Sequence, residues 1–179
     1  MVQVKDKTFE VFITEQALQE QVTSLARQIS EDYAGKTPLF LAILNGAFMF
    51  AADLMKQISI PCEISFVKVA SYHAMQSSGA VTELIGLSEK VTGRPIIVVE
   101  DIVDTGITME QILGVVRAKG PESVKVATLL FKPEALQKDI PLDYIGFRIP
   151  SRFVVGYGLD YDGHGRNLPE IYVVKEHEE

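Results

Sequence analysis

RPIIVVEDIVDTGITMEQ, residues 94–111, is the stretch on which the fold reading turns. Four β-branched residues, Ile96, Ile97, Val98 and Val99, lead straight into Glu100 and Asp101. A run this short and this apolar suits a strand buried on both faces, as in a parallel sheet. Strand alternation sends the two acidic side chains to opposite sides. The turn Asp104-Thr105-Gly106-Ile107-Thr108 then opens a segment of helical spacing, with Met109, Ile112, Leu113 and Val116 on one face and Gly120-Pro121 ending it. At a helix start the backbone N–H groups lack partners and the helix dipole adds partial positive charge. Gly106 allows close backbone approach, and Thr105 and Thr108 add hydroxyl donors. Together they form a cradle for one phosphate.

An isolated Asp-Thr-Gly is most simply a helix cap with acids in water. Two acids at a strand end, a phosphate turn and Asp104 form a more specific set. The acids tolerate a nearby phosphate if they hold sugar hydroxyls or a hard cation. Mg²⁺, which takes oxygen ligands and keeps waters, is the natural one. The segment therefore suggests a ribose phosphate ligand with metal. No GxxxxGK[ST] or GxGxxG occurs, which disfavours a P-loop or dinucleotide-binding fold.

Outward from this unit, strands and helices alternate. Residues 14–35 carry an apolar stripe of Leu18, Val22, Leu25, Ile29 and Tyr33, with Thr14 as N-cap and Gly35 as stop. Residues 38–44 (PLFLAIL) read as a buried strand, and NGA turns into a helix over FMFAADLMKQI. CEISFVKVA, residues 62–70, is strand-like. Residues 71–83 are polar and long, a candidate mobile loop. VKVATLLF is another strand, and short strands are expected near residues 144–147, 153–157 and 171–174. This order implies an α/β domain with a mostly parallel sheet, whose ligands sit at the carboxyl ends of the strands. Lys132 stands at one such end; most lysines are solvated, but this one adjoins the proposed site. Phe153 is a core aromatic or a stacking platform. Asp160 and Asp162 lie in a glycine-rich turn, and Asp160 is the preferred ligand because it ends a strand. His73, His164 and His177 are too scattered for a metal trio.

The chain has 179 residues, 47% hydrophobic and 23% charged, which fits one globular domain. Its net charge of −7 argues against a large nucleic-acid footprint. The single cysteine, Cys62, excludes an internal disulfide framework and a cysteine zinc site, and suits a reducing cytosol. Neither a signal peptide nor a membrane span is expected.

IIVVEDIVDTGIT resembles the phosphoribosyl pyrophosphate signature of the type I phosphoribosyltransferases. LNGAFMF, LLFKPEAL and DYIGFRIPSRFVVGYGLDYDGHGRNLPEIYVV are similar in order and spacing to the hypoxanthine-guanine phosphoribosyltransferase family. The likeness covers residues 39–174, and the C-terminal block is the part more specific to 6-oxopurine enzymes. The resemblance implies the type I phosphoribosyltransferase fold. That is a mostly parallel central sheet flanked by helices (core about 36–145) with a small hood subdomain from about 1–13 and 146–179, the boundaries being set by element spacing.

The resemblance also implies roles. Glu100 and Asp101 would hold the ribose hydroxyls, partly through Mg²⁺. Asp104 would act as general base or acid at N7 of the purine. Asp104, Thr105, Gly106, Ile107 and Thr108 would bind the 5′-phosphate. Asn45, Gly46 and Arg166 would contact pyrophosphate. Lys132, Phe153, Val154 and Asp160 would form the purine end, Lys132 donating to the 6-oxo group, Phe153 stacking and Asp160 binding a second Mg²⁺. Ser71 and Tyr72 would lie on a closing loop. The expected partners are phosphoribosyl pyrophosphate, a 6-oxopurine, the nucleoside monophosphate and pyrophosphate, in a cytoplasmic homodimer or homotetramer without nucleic acid or membrane. One departure stands out: the family often has Lys-Gly in the pyrophosphate loop, where this chain has Asn45-Gly46. A xanthine-preferring enzyme, a pyrimidine enzyme and a non-enzymatic regulator on the same fold are the alternatives.

Overall fold

A computed structural model describes residues 1–73 and 80–175. Its centre is a six-stranded sheet in the order β5-β4-β3-β6-β7-β8. The strands are β3 (Leu39–Ile43), β4 (Glu63–His73), β5 (Ala80–Ile85), β6 (Pro95–Val103), β7 (Ser123–Phe131) and β8 (Tyr144–Arg148). β4, β3, β6, β7 and β8 run parallel, and β5 pairs antiparallel to β4 at the edge. All five residues of β3 are buried, as a strand covered on both faces requires.

Strand alternation divides the core. Phe40, Ala42, Ile97 and Val99 pack with α1 (Glu15–Asp32) and α2 (Phe48–Gln57). Leu39, Leu41, Ile43, Ile96 and Val98 pack on the other face with α3 (Ile107–Arg117), through Met109, Ile112, Leu113 and Val116. The expected stripe of α1 is buried, and Thr14 Oγ1 caps the helix by accepting from the Ala17 N–H at 3.2 Å.

A second, antiparallel sheet of four strands runs β1-β2-β10-β9. It joins β1 (Val2–Val4) and β2 (Lys7–Ile13) from one end of the chain to β9 (Val154–Val155) and β10 (Ile171–Val174) from the other. The sequence pattern assigns β1 and β2 no element; they pair locally with each other, and β2 also pairs with β10 from the far end of the chain.

The expected loop over 71–83 is corrected at its two ends, 71–73 and 80–83. Ser71 pairs with Thr82 and Tyr72 with Val81, so both belong to the β4–β5 hairpin and not to a loop. Residues 74–79, the middle of that segment, and His177 lie outside the described residues.

Candidate active site

The site forms at the carboxyl ends of β6 and β7. β6 delivers Glu100 and Asp101 in succession near its carboxyl end. Glu100 is only 9% exposed, and its carboxylate accepts the Asp101 N–H at 3.0 Å. Asp101 Oδ1 accepts the Ile102 N–H at 2.7 Å. Burial pushes the Glu100 carboxyl well above its usual range, and the Asp101 charge beside it adds to the rise. Burial raises Asp101 as well, against its hydrogen bonds and the positive charge of Arg166. Two buried like charges side by side are the donor chemistry that a hard divalent cation relieves, so these residues fit Mg²⁺. Among the described residues no group of three or more His, Cys, Asp or Glu side chains forms a ready metal cluster. A cation on the pair would take its other ligands from substrate oxygens and water.

After β6 the chain turns through Gly106, whose φ of +81° is natural only for glycine. The first hydrogen bond of α3 runs from the Glu110 N–H to the Gly106 carbonyl at 2.9 Å, and within the turn the Ile107 N–H donates to Thr105 Oγ1 at 3.4 Å. Here lies a cavity of about 100 Å³ lined by Glu100, Asp104, Thr105, Gly106 and Thr108. Its size and amide edge suit one phosphate. Ile107 is absent from the lining and exposes its side chain. The Gln137 N–H braces the loop by donating to the Thr105 carbonyl at 2.9 Å, a contact with no signal in the sequence.

A second cavity, about 260 Å³, is lined by Asp101, Asp104, Lys132, Phe153, Val154 and Asp160, with Ile102 and Leu159. Lys132 is 12% exposed and its ammonium lies 3.0 Å from Asp104 Oδ2. Phe153 is 45% exposed, an open ring face, and is braced by Tyr161 edge-on at 5.6 Å and by Phe9 at 6.3 Å. The sequence motifs do not point to Ile102 or Leu159, since apolar residues carry no chemical signature.

Two site elements converge on Gly46. An ideal Cβ there would stand 1.6 Å from Asp101 Oδ2. On the other side, a Cβ on Gly158 would stand 2.1 Å from the Gly46 carbonyl oxygen. Asn45, the departure from the family pattern, is exposed and follows a cis peptide bond after Leu44. Arg166 donates to the Gly158 carbonyl at 2.7 Å and pairs with Asp160 Oδ1 at 2.8 Å. Asp160 also accepts the Gly163 N–H at 2.7 Å. Asn45, Gly46 and Arg166 thus border the cavities without lining either.

The phosphoribosyl transferase domain family matches residues 13–162. The chain is 42% identical to the hypoxanthine-guanine phosphoribosyltransferase of Streptococcus pneumoniae over 93% of each protein. The chain belongs to the phosphoribosyltransferase family, in its hypoxanthine-guanine branch. A solved hypoxanthine phosphoribosyltransferase from Staphylococcus aureus superimposes with a TM-score of 0.86 at 38% identity, covering 93% of this chain and 91% of that one. The chain is also 41% identical to the bifunctional protein TilS/HprT of Listeria monocytogenes, spanning 26% of that protein's length. As a phosphoribosyltransferase the chain is an α/β transferase built on a mostly parallel sheet.

Proposed function

We propose that the chain moves the 5-phosphoribosyl group from phosphoribosyl pyrophosphate to N9 of hypoxanthine or guanine, releasing pyrophosphate. The observation that carries this reading is that Asp104 lines both cavities, so a phosphate cradle and a flat, ammonium-edged pocket meet at one carboxylate. A nucleoside monophosphate has that shape: anion at one end, planar base at the other, sugar between.

In this reading Thr105, Gly106 and Thr108 hold the 5′-phosphate through amides and hydroxyls, with Ile107 adding its amide. Glu100 and Asp101 hold the ribose hydroxyls and would hold Mg²⁺. When bound, Mg²⁺ neutralises charge on the pyrophosphate. Asn45 and Gly46 offer backbone N–H groups to pyrophosphate, and Arg166 offers its guanidinium. Phe153 stacks on the base and Val154 reads its edge with backbone groups. Lys132 donates to the 6-oxo oxygen; an ammonium has no acceptor, so the 6-amino group of adenine finds no partner there. Asp104 sits beside N7 and holds the proton that the base must shed or share as the new bond forms. Base entry requires Lys132 to leave Asp104, which frees both groups for the purine at once.

Asp160 as ligand of a second Mg²⁺, cytoplasmic location and assembly as a homodimer or homotetramer belong to the same proposal. A free Cys62 suits a reducing compartment. No helix among the described residues is long and apolar enough to cross a membrane.

The test is a panel of hypoxanthine, guanine, xanthine and adenine with phosphoribosyl pyrophosphate, with and without Mg²⁺. Transfer to hypoxanthine and guanine, none to adenine, and loss on chelation are expected. Asp104→Asn should lower kcat by roughly 10²-fold or more, the usual worth of a positioned acid or base. A kcat within a few-fold of wild type removes Asp104 from the chemistry.

A further inference from the structure

One part-buried polar network lies outside both cavities. The Asp53 side chain on α2 is 18% exposed. It accepts from the Tyr157 hydroxyl at 2.5 Å and from Gln19 Nε2 at 2.9 Å, and pairs with Lys56 Nζ at 2.6 Å. Burial pushes this carboxyl up, yet the bonds from Lys56, Tyr157 and Gln19 outweigh burial and hold it below its usual range. Burial, then the bond to Asp53, raises the Tyr157 hydroxyl, which therefore stays protonated as the donor.

The backbone of Tyr157 shows what the network secures. Its φ is +48°, between Gly156 at +102° and Gly158 at +101°. A tyrosine in the left-handed region is unfavourable and persists only where its surroundings over-determine it. Here the Tyr157 N–H donates to the Leu168 carbonyl at 2.8 Å and the far end of the ring is tied to Asp53. The next residue is the one that touches both pyrophosphate elements. The Gly158 N–H donates to the Arg166 carbonyl at 2.9 Å, and the Gly158 carbonyl accepts from the Arg166 guanidinium at 2.7 Å. Its α-carbon rests against the Gly46 carbonyl so closely that a Cβ would lie at 2.1 Å.

We propose that Asp53 and Tyr157 are positioning residues for the pyrophosphate half of the site. The anchored phenol fixes the left-handed turn that seats Gly158 between Arg166 and the Asn45-Gly46 loop. Neither residue touches substrate. The inference rests on the assignment of Arg166 and Gly46 to pyrophosphate under the proposed function.

The experiment uses Tyr157→Phe, Asp53→Ala and Asp53→Asn in the full chain. KM is measured for phosphoribosyl pyrophosphate and hypoxanthine forward and for pyrophosphate in reverse, with Tm beside them. Tyr157→Phe and Asp53→Ala should each raise both pyrophosphate-side KM values by roughly tenfold, the scale of one hydrogen bond to a charged group. The KM for hypoxanthine should stay within about twofold. Asp53→Asn keeps an oxygen that accepts from Tyr157 and should restore most of the loss. Equal changes for base and pyrophosphate, a fall in Tm with every KM unchanged, or no rescue by Asp53→Asn overturns the positioning role. A wild-type protein without phosphoribosyl transfer overturns the functional assignment itself, and the two failures are thereby told apart.

Discussion

Replacing Gly46 by alanine puts the packing of the site to the sharpest test. The new Cβ would meet Asp101 Oδ2 at 1.6 Å and Cγ at 2.5 Å. Real Cβ contacts essentially never fall under 3.0 Å, so the carboxylate or the loop must retreat by roughly 1.4 Å. Rotating Asp101 away is not free, because its other oxygen accepts the Ile102 N–H at 2.7 Å. Moving the loop is opposed from the far side, where Gly158 lies against the Gly46 carbonyl. A misplacement of about 1 Å at a reacting centre costs on the order of 10²-fold in rate, or about 2.7 kcal/mol of transition-state stabilisation. The kcat/KM for phosphoribosyl pyrophosphate of Gly46→Ala should fall by that amount. Strain of about 1–3 kcal/mol should lower Tm as well, by about 2–4 °C per kcal/mol for a chain of this size. The assay follows the absorbance change of nucleotide formation at varied phosphoribosyl pyrophosphate, with thermal unfolding alongside. A kcat/KM within about threefold of wild type, with Tm unchanged, would refute the claim that Gly46 is held between Asp101 and Gly158.

Gly114, exposed on α3 with nothing within 4 Å of an added Cβ, is the matching control. Gly114→Ala should raise stability by about 0.5–1 kcal/mol and leave turnover unchanged, and a loss of stability in a denaturant titration would contradict the helix placement. Lys132→Ala should weaken hypoxanthine binding by about 1.5–3 kcal/mol, the worth of a hydrogen bond from a charged donor, read by calorimetry with pyrophosphate present, a pair that cannot react. Unaltered binding there would remove Lys132 from base recognition. Burial raises the Glu100 carboxyl above its ordinary 4.5 and Asp101 above 3.8. The folded chain therefore binds these protons more tightly than the unfolded chain, and the stability they contribute when protonated is lost as pH rises from those ordinary values through the raised ones. Ligand-free Glu100→Gln should accordingly exceed wild type in Tm at about pH 8, with the gap closing toward about pH 4, and equal Tm across that range would argue against a buried charged pair.

Residues 94–111 show how much local chemistry determines. Four β-branched residues specify a doubly covered strand, and Gly106 specifies the turn into α3, because backbone freedom and burial are properties of residues and their immediate neighbours. The same holds for the Thr14 cap and the apolar faces of α1 and α3. The strand-end positions of Glu100, Asp101, Asp104 and Lys132 were legible for that reason, and their meeting in two adjoining cavities follows from parallel strands ending at one edge.

What the chain order leaves open is decided by pairing between distant segments. β2 finds its second partner in β10, from the other end of the chain. Ser71 and Tyr72 join an edge hairpin whose polarity had suggested a loop. The close approach of Gly46 to Asp101 and Gly158, the left-handed Tyr157 tied to Asp53, and the pairing of Lys132 with Asp104 each unite residues from separate elements. Local sequence carries propensity and alternation, whereas contacts across the fold depend on distances that only the assembled sheet sets.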